Sequence, residues 1–381
     1  MIPYGKHLID EQDIDAVVDV LRNQFLTQGS IVPQFEQALC DYTTCRYATA
    51  VNSATSGLHV ACLAAGVGQG DVVWTVPNSF VASANCALYC GANIDFVDID
   101  VATRNIDIDA LTDKLAQAVQ LNSLPKALIV VHFSGLSCDM QVIHALTKKY
   151  GIVLIEDAAH ALGGSYQQQK VGSCQYSDMS VLSFHPVKSI TSAEGGAVLT
   201  NIKTYDDKLK LFAKHGVTRD IEQMVTESHG PWYYQQVELG FNYRLSDLHA
   251  ALGLSQLSKL DTFILRRTEL ALTYQKKLIE LPLKLPVFPD YAKSAWHLYM
   301  VELTHHNRKA VFTELHAKGI GVNVHYIPIH LHPYYQKLGF KQADFPIAEN
   351  FYENALTLPL FPSLSDEQQN IVIDVLHEVL Q

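Results

Sequence analysis

Val153-Leu154-Ile155-Glu156-Asp157-Ala158-Ala159-His160 is the stretch on which the fold turns. Three apolar residues run on without polar alternation, then stop at two carboxylates and a set of small residues. A short continuous apolar run suits a strand covered on both faces, as in a parallel sheet between helices. In such a sheet the carboxyl ends of the strands open onto the ligand crevice. Asp157 therefore stands where a ligand would be met, and its other plausible use is to cap the next turn.

The flanking sequence repeats this grammar. Residues 71–76, 94–97, 127–132, 179–184 and 196–200 are further short runs rich in β-branched residues. Helical patterns lie between and before them. Residues 13–22 carry Ile14, Val17, Val18 and Leu21 at helical spacing, and 52–65 is a small apolar stretch opened by Ser53-Ala54-Thr55-Ser56. Alternation of this kind predicts an α/β fold with a largely parallel sheet. Near residue 250 the texture changes. Residues 248–270 form a long helical pattern that 267–279 continues. Strands are expected at 296–303 and 321–326, and a last helix at 366–380. We read a large domain over 1–250 and a smaller α+β domain over 251–381.

Composition narrows the function classes. The chain has 381 residues, 48% of them hydrophobic, and a formal net charge of −11. That is core enough for two domains. So acidic a chain is a poor general binder of nucleic acid or of anionic membrane. Its opening, MIPYGKHLIDEQDID, lacks the basic start and apolar stretch of a secretory signal. No apolar run approaches the roughly 20 residues of a membrane-spanning helix. The seven cysteines are odd in number and form no CxxC pair, which fits reduced thiols. A cytoplasmic location is expected.

Three more segments carry chemistry. Ser183-Phe184-His185-Pro186-Val187-Lys188 ends a strand, turns at Pro186 and presents one lysine before the Gly195-Gly196 bend. A Schiff-base lysine needs such a fixed, partly desolvated amine, although an exposed loop lysine has the same sequence appearance. Asn52-Ser53-Ala54-Thr55-Ser56-Gly57 opens a helix with small hydroxyl residues, which serves as an N-cap and as a phosphate cradle alike. Phe80, in Pro77-Asn78-Ser79-Phe80, follows a strand and is either a core residue or a platform for a planar ring. With such a ring bound, Asp157 would accept from a protonated pyridine nitrogen. Competing motifs fail. Gly66-Val67-Gly68-Gln69-Gly70 follows a helix and precedes a strand, the reverse of a dinucleotide loop. There is no GxxxxGK[ST] and no HExxH. His325, His330 and His332 lack a carboxylate partner at ligand spacing, so no metal is expected.

Taken in order, these segments resemble the DegT/DnrJ/EryC1/StrS family of sugar aminotransferases, within the fold-type I pyridoxal-phosphate (PLP) enzymes. The likeness runs from Pro3 to Leu380. It includes FLTQG at 25–29, NSATSGLH at 52–59, EDAAHALG at 156–163, AEGGAV at 193–198, LGFNYRLSD at 239–247 and HYIPIHLHPYY at 325–335. The wording at 3–21 and FHPVKSIT at 184–191 resembles the branch that aminates C4 of a UDP-linked 4-keto-6-deoxy-N-acetylhexosamine in pseudaminic acid synthesis. The resemblance implies a mostly parallel seven-stranded sheet, PLP, L-glutamate as donor and a homodimer with shared active sites. It makes Lys188 the Schiff-base lysine and general acid–base, Asp157 the partner of the ring nitrogen, and Phe80 the stacking aromatic. Thr55, Ser56 and Ser183 would contact the phosphate. His160 stands near the cofactor's phenolic oxygen, where many relatives carry glutamine. Asn242 would reach the phosphate of the neighbouring subunit. Lys214, His215, Arg219 and Arg244 are candidates for the nucleotide, with exposed ion pairing as their alternative. The rival functions are amination of another nucleotide-linked 4-keto or 3-keto sugar and PLP binding without turnover. Dehydration is a third, but the related sugar dehydratases carry histidine in place of the lysine.

Overall fold

Ala127–Val131 shows why the chain folds as it does. All five residues of this strand are buried. Ala127 and Ile129 feed one hydrophobic core, and Leu128, Val130 and Val131 feed another. A strand with period two can do this only when helices cover both faces of its sheet. Burying each large aliphatic side chain contributes roughly 1.5–3 kcal/mol.

The chain, seen in a computed structural model that describes residues 1–380, builds a seven-stranded sheet from β1 (Tyr47–Val51), β2 (Val72–Thr75), β3 (Asn93–Phe96), β4 (Ala127–Val131), β5 (Val153–Asp157), β6 (Met179–Ser183) and β7 (Gly196–Thr200). Their order is β1-β7-β6-β5-β4-β2-β3. β7 pairs antiparallel with both β1 and β6, while the other neighbours are parallel. Helices α1 (Glu11–Asn23), α2 (Ile31–Thr43), α3 (Ala54–Ala64), α4 (Ala82–Tyr89), α5 (Ile108–Leu121), α6 (Met140–Tyr150) and α7 (Lys203–Ala213) surround it. Residues of α3, α4 and α7 pack in the first core, and those of α5 and α6 in the second. This is the α/β architecture expected. Among the described residues no helix is long and apolar enough to cross a membrane.

The long helical pattern after residue 247 is two helices, α8 (Asp247–Leu257) and α9 (Leu260–Lys277), broken at Ser258–Lys259. Beyond them a three-stranded antiparallel sheet forms from β8 (Leu283–Lys284), β9 (Tyr299–Leu303) and β10 (Ala355–Leu358). The strand expected at 321–326 is not one. That segment makes only an isolated bridge, Asn323 to Thr357, and then runs toward the large sheet. The first residues of the chain also belong here, with Ile2 bridged to Ile320 and Leu360 N–H donating to Tyr4 O at 3.0 Å.

Arg267 of α9 fastens this region. It is 2% exposed and has no acidic partner among the described residues. Its Nη1 donates to the carbonyls of Trp296 (3.1 Å), His297 (3.4 Å) and Leu360 (2.9 Å), and burial pulls its pKa down to about 10. Charge-assisted bonds of this kind carry roughly 1.5–3 kcal/mol each. Arg267→Met should fill the space yet leave these carbonyls unpaired. We expect a loss of about 2–4 kcal/mol, read as a lowered midpoint in urea.

Candidate active site

The carboxyl ends of β4, β5 and β6 and the N-terminus of α3 meet around a cavity of about 390 Å³, lined among others by Val131, Asp157, Ser183, Lys188, Thr55 and Phe80. Ligand pockets typically fall at roughly 300–1,000 Å³. Residues far apart in the chain meet here because strand alternation aims them. Ile155 lies in the α3–α4 core, so Asp157, two residues on, faces the same side. Glu156 faces the other side, where it is buried against His132 Nε2 at 2.7 Å.

Asp157 is held on both oxygens. The Ser83 hydroxyl, on α4, donates to Oδ2 at 2.6 Å, and the backbone N–H of Ala159 donates to Oδ1 at 3.2 Å. Ser79 and Ser83 hydroxyls lie 2.7 Å apart, so the chain of hydroxyls continues inward. Both serines are buried. Neither was singled out from the sequence for this role, since Ser79 lies in the bend before α4 and Ser83 in its first turn.

Lys188 is set by a tight turn. Its N–H donates to His185 O at 2.9 Å, with Pro186 at the position where a fixed φ favours such turns. Phe184, before the turn, exchanges backbone bonds with Gly195 and Ser192 after it. The loop from β6 to β7 is therefore rigid at its base. Lys188 is half-buried, and desolvation of its amine lowers its pKa to about 8 against the opposing pull of Asp157. About a tenth of such an amine is uncharged at pH 7, far more than for an ordinary lysine, and the rest still carries its charge.

The α3 N-terminus abuts this loop. Ser53 caps it, accepting from Ser56 N–H at 3.1 Å. A Cβ on Gly196 would lie 2.6 Å from Ala54 N, so glycine is what lets the helix start sit on the strand. Thr55 lines the cavity. Ser56 does not; its hydroxyl is bonded to Asn52 Oδ1 at 2.6 Å and lies beside Ser53 Oγ at 2.9 Å. Phe80 lines the cavity and is 58% exposed, its ring uncovered by the protein. Ser183 lines it too.

His160, His297, His325, Tyr326 and Tyr4 complete the wall. Burial and the nearby Lys188 charge hold His160 and His297 well below the ordinary imidazole pKa, and they push His325 to about 4. All three rings are thus neutral at pH 7. Asn242 is exposed and does not line the cavity, though its carbonyl accepts from Asn52 Nδ2 at 3.3 Å. Lys214, His215 and Arg219 are exposed and Arg244 is half-buried, and none of the four lines the cavity. His330, one of the three histidines considered for a metal, pairs with Glu349 at 2.8 Å. No group of three or more metal-ligating side chains exists among the described residues.

The chemistry of this donor set fits pyridoxal phosphate. It offers an enclosed, low-pKa amine, a braced carboxylate, an uncovered aromatic face and a helix start with free N–H groups. The family model described as the DegT/DnrJ/EryC1/StrS aminotransferase family matches residues 7–377. The chain is 40% identical over 385 residues to a UDP-4-amino-4,6-dideoxy-N-acetyl-beta-L-altrosamine transaminase of Campylobacter jejuni, covering 100% of this chain and 98% of that one. It is 38% identical over 387 residues to the spore coat polysaccharide biosynthesis protein SpsC of Bacillus subtilis, covering 100% and 97%. Among solved structures, Helicobacter pylori PseC, an aminotransferase involved in the biosynthesis of pseudoaminic acid, superimposes with a TM-score of 0.90 at 34% identity, covering 100% and 99%.

Proposed function

Because the chain belongs to the DegT/DnrJ/EryC1/StrS aminotransferase family, we propose that it moves the amino group of L-glutamate to C4 of a UDP-linked 4-keto-6-deoxy-N-acetylhexosamine, with pyridoxal phosphate held around Lys188 and Asp157. The observation that carries the reading is the pairing, in one cavity, of a single enclosed lysine with a strand-end carboxylate. The sugar is chosen on the printed names of the Campylobacter and Helicobacter proteins. Similar identity to the Bacillus protein favours, as a second reading, another nucleotide-linked keto sugar.

Bound pyridoxal phosphate would supply an electron sink for charge developing at the Cα of the amino donor. The chain's own residues do the rest. Lys188 would hold the cofactor through Nζ and, once released, move a proton from the donor's Cα as general base, then return it as general acid. Its pKa near 8 matches that double duty. Asp157, with Ser83 and Ala159 fixing its oxygens, would accept the ring-nitrogen proton's hydrogen bond. Phe80 would cover one ring face. The α3 start, with Thr55 and Ser183, would take the phosphate. Glutamate should bleach the cofactor's visible band and release 2-oxoglutarate. The acceptor is then found by supplying a panel of nucleotide-linked keto sugars. A band indifferent to glutamate contradicts the donor, and turnover confined to another sugar contradicts the acceptor.

The active unit is read as a homodimer. Phosphate, donor carboxylates and diphosphate are all anionic, yet Lys188 is the only lysine or arginine lining the cavity among the described residues. Further cations must come from elsewhere, and exposed Phe25, Trp232 and Leu239 are large apolar side chains that a second copy would cover. Mixing Lys188→Ala with Asn242→Ala protein tests this. If Asn242 serves the neighbour's site, each heterodimer has one intact site and up to about half the activity per dimer returns. No recovery, or an active monomer, contradicts the shared site.

A further inference from the structure

His160 lines the cavity and is 7% exposed, yet both of its ring nitrogens are already engaged by protein. The backbone N–H of Ser134 points to Nδ1 at 3.3 Å. A backbone N–H can only donate, so Nδ1 carries a lone pair. A neutral imidazole then has its proton on Nε2. The ring is neutral, because burial and the adjacent Lys188 charge both oppose protonation. Nε2 in turn lies 3.2 Å from the Tyr326 hydroxyl. With Nε2–H as donor, the tyrosine oxygen is the acceptor, and its own proton is left to point elsewhere. That hydroxyl makes no other hydrogen bond among the described residues, and Tyr326 lines the cavity. Burial, with the Asp157 carboxylate nearby, keeps it protonated far above neutral pH. Phe80 and Phe133 flank its ring at centroid distances of 6.3 and 6.4 Å and limit where it can turn.

We propose that Tyr326 is the hydroxyl donor of this cavity, with His160 fixing its orientation, and that it serves the phenolic oxygen of the bound pyridoxal ring. His160 is then a positioning residue that does not reach that oxygen itself. The inference rests on the cavity being the pyridoxal phosphate site. Its physical consequence is specific. A donor on a phenolate stabilises the deprotonated form, so the bound cofactor should give up its proton at lower pH than it would without Tyr326.

The test is a pH titration of the visible absorbance of PLP-loaded protein, with thermal melts alongside. Tyr326→Phe keeps the ring packing and should raise the midpoint by about one pH unit, a tenfold change in proton affinity. His160→Leu leaves the tyrosine undirected and should raise it by part of that amount. Glutamine can accept from Ser134 N–H and donate to Tyr326 together, so His160→Gln should stay close to the parent. Tyr326→Phe leaves the imidazole N–H unpaired. If that variant folds poorly, the double variant Tyr326→Phe/His160→Leu removes the orphan and should show the full shift. An unchanged midpoint in the folded Tyr326→Phe or double variant overturns the assignment. A shift in His160→Leu without one in Tyr326→Phe does so as well, and makes His160 the contact. A parent protein that develops no visible band with PLP overturns the site reading itself, which none of the variant outcomes does.

Discussion

Replacing Lys188 by alanine should leave a folded protein that turns over about 10,000-fold more slowly or less. The lysine is asked to hold the cofactor and to carry the proton in both directions, and positioned acid–base catalysis alone is worth roughly 100- to 10,000-fold. Single-turnover mixing with glutamate measures the loss. Borohydride reduction of the loaded parent, followed by peptide mapping, should mark Lys188. A mark on a different lysine would reject the assignment. The pH dependence gives a second check on the unloaded protein. The pKa of Lys188 is lowered to about 8, so its free amine grows as pH rises through that value. An ordinary exposed lysine gains its free amine only near pH 10.4. Among the lysines, labelling by an amine-reactive probe should therefore appear at Lys188 first, with a midpoint near pH 8.

Asp157→Asn should have the next largest effect. Asparagine is nearly isosteric, and its carbonyl oxygen still accepts from Ser83 or Ala159, so folding is spared. Its amide would now face the ring nitrogen as a second donor, and the ring would lose the carboxylate that keeps it protonated. We expect the glutamate half-reaction to slow by about 1,000-fold, or about 4 kcal/mol in barrier. A rate within tenfold of the parent would rule out the role. Ser83→Ala on the same assay should fall well short of this, because it removes one brace and not the charge.

Much of this was legible in the sequence. Strands buried on both faces read directly from their continuous apolar runs, and the strand-end logic placed Asp157 and Lys188 in one cavity. Phe80 followed from the same logic and Thr55 from the helix start, while His160 and Ser183 came from the family resemblance; all four line the cavity. What stayed hidden has physical causes. β1 is an edge strand with two alanines in Tyr47-Ala-Thr-Ala-Val51, and its partner β7 lies far along the chain. No glycine or proline marks the break at Ser258, and the apolar period runs on through Leu257, Leu260 and Phe263. At 321–326 the apolar alternation of Val322 and Val324 imitates a strand, while the segment's actual task is to deliver His325 and Tyr326 to the cavity. Ser56 carries the right hydroxyl for a phosphate, but local bonds to the helix cap claim it. Ser83 and His297 were invisible as site residues because nothing in a one-dimensional pattern tells a core serine or histidine from one that braces a ligand group.

The reversed strand β7 makes one edge of the sheet a long-range closure. β2 to β6 pair with one another in parallel, and each pairing spans a shorter stretch of chain than that between β1 and β7. β1 precedes them all, yet it pairs only with β7, with Tyr47 opposite Thr200. Until β7 arrives, β1 has no partner in the sheet, and the start of α3 has no Gly196 to rest on. The connection that carries Lys188 is closed by the same event, since it links β6 to β7. A nascent chain that stops before Gly196 holds the α3 start and Lys188 but lacks the strand that brings them together. On the proposed reading, retention of pyridoxal phosphate therefore waits on β7, and its acquisition reports that this strand is in place.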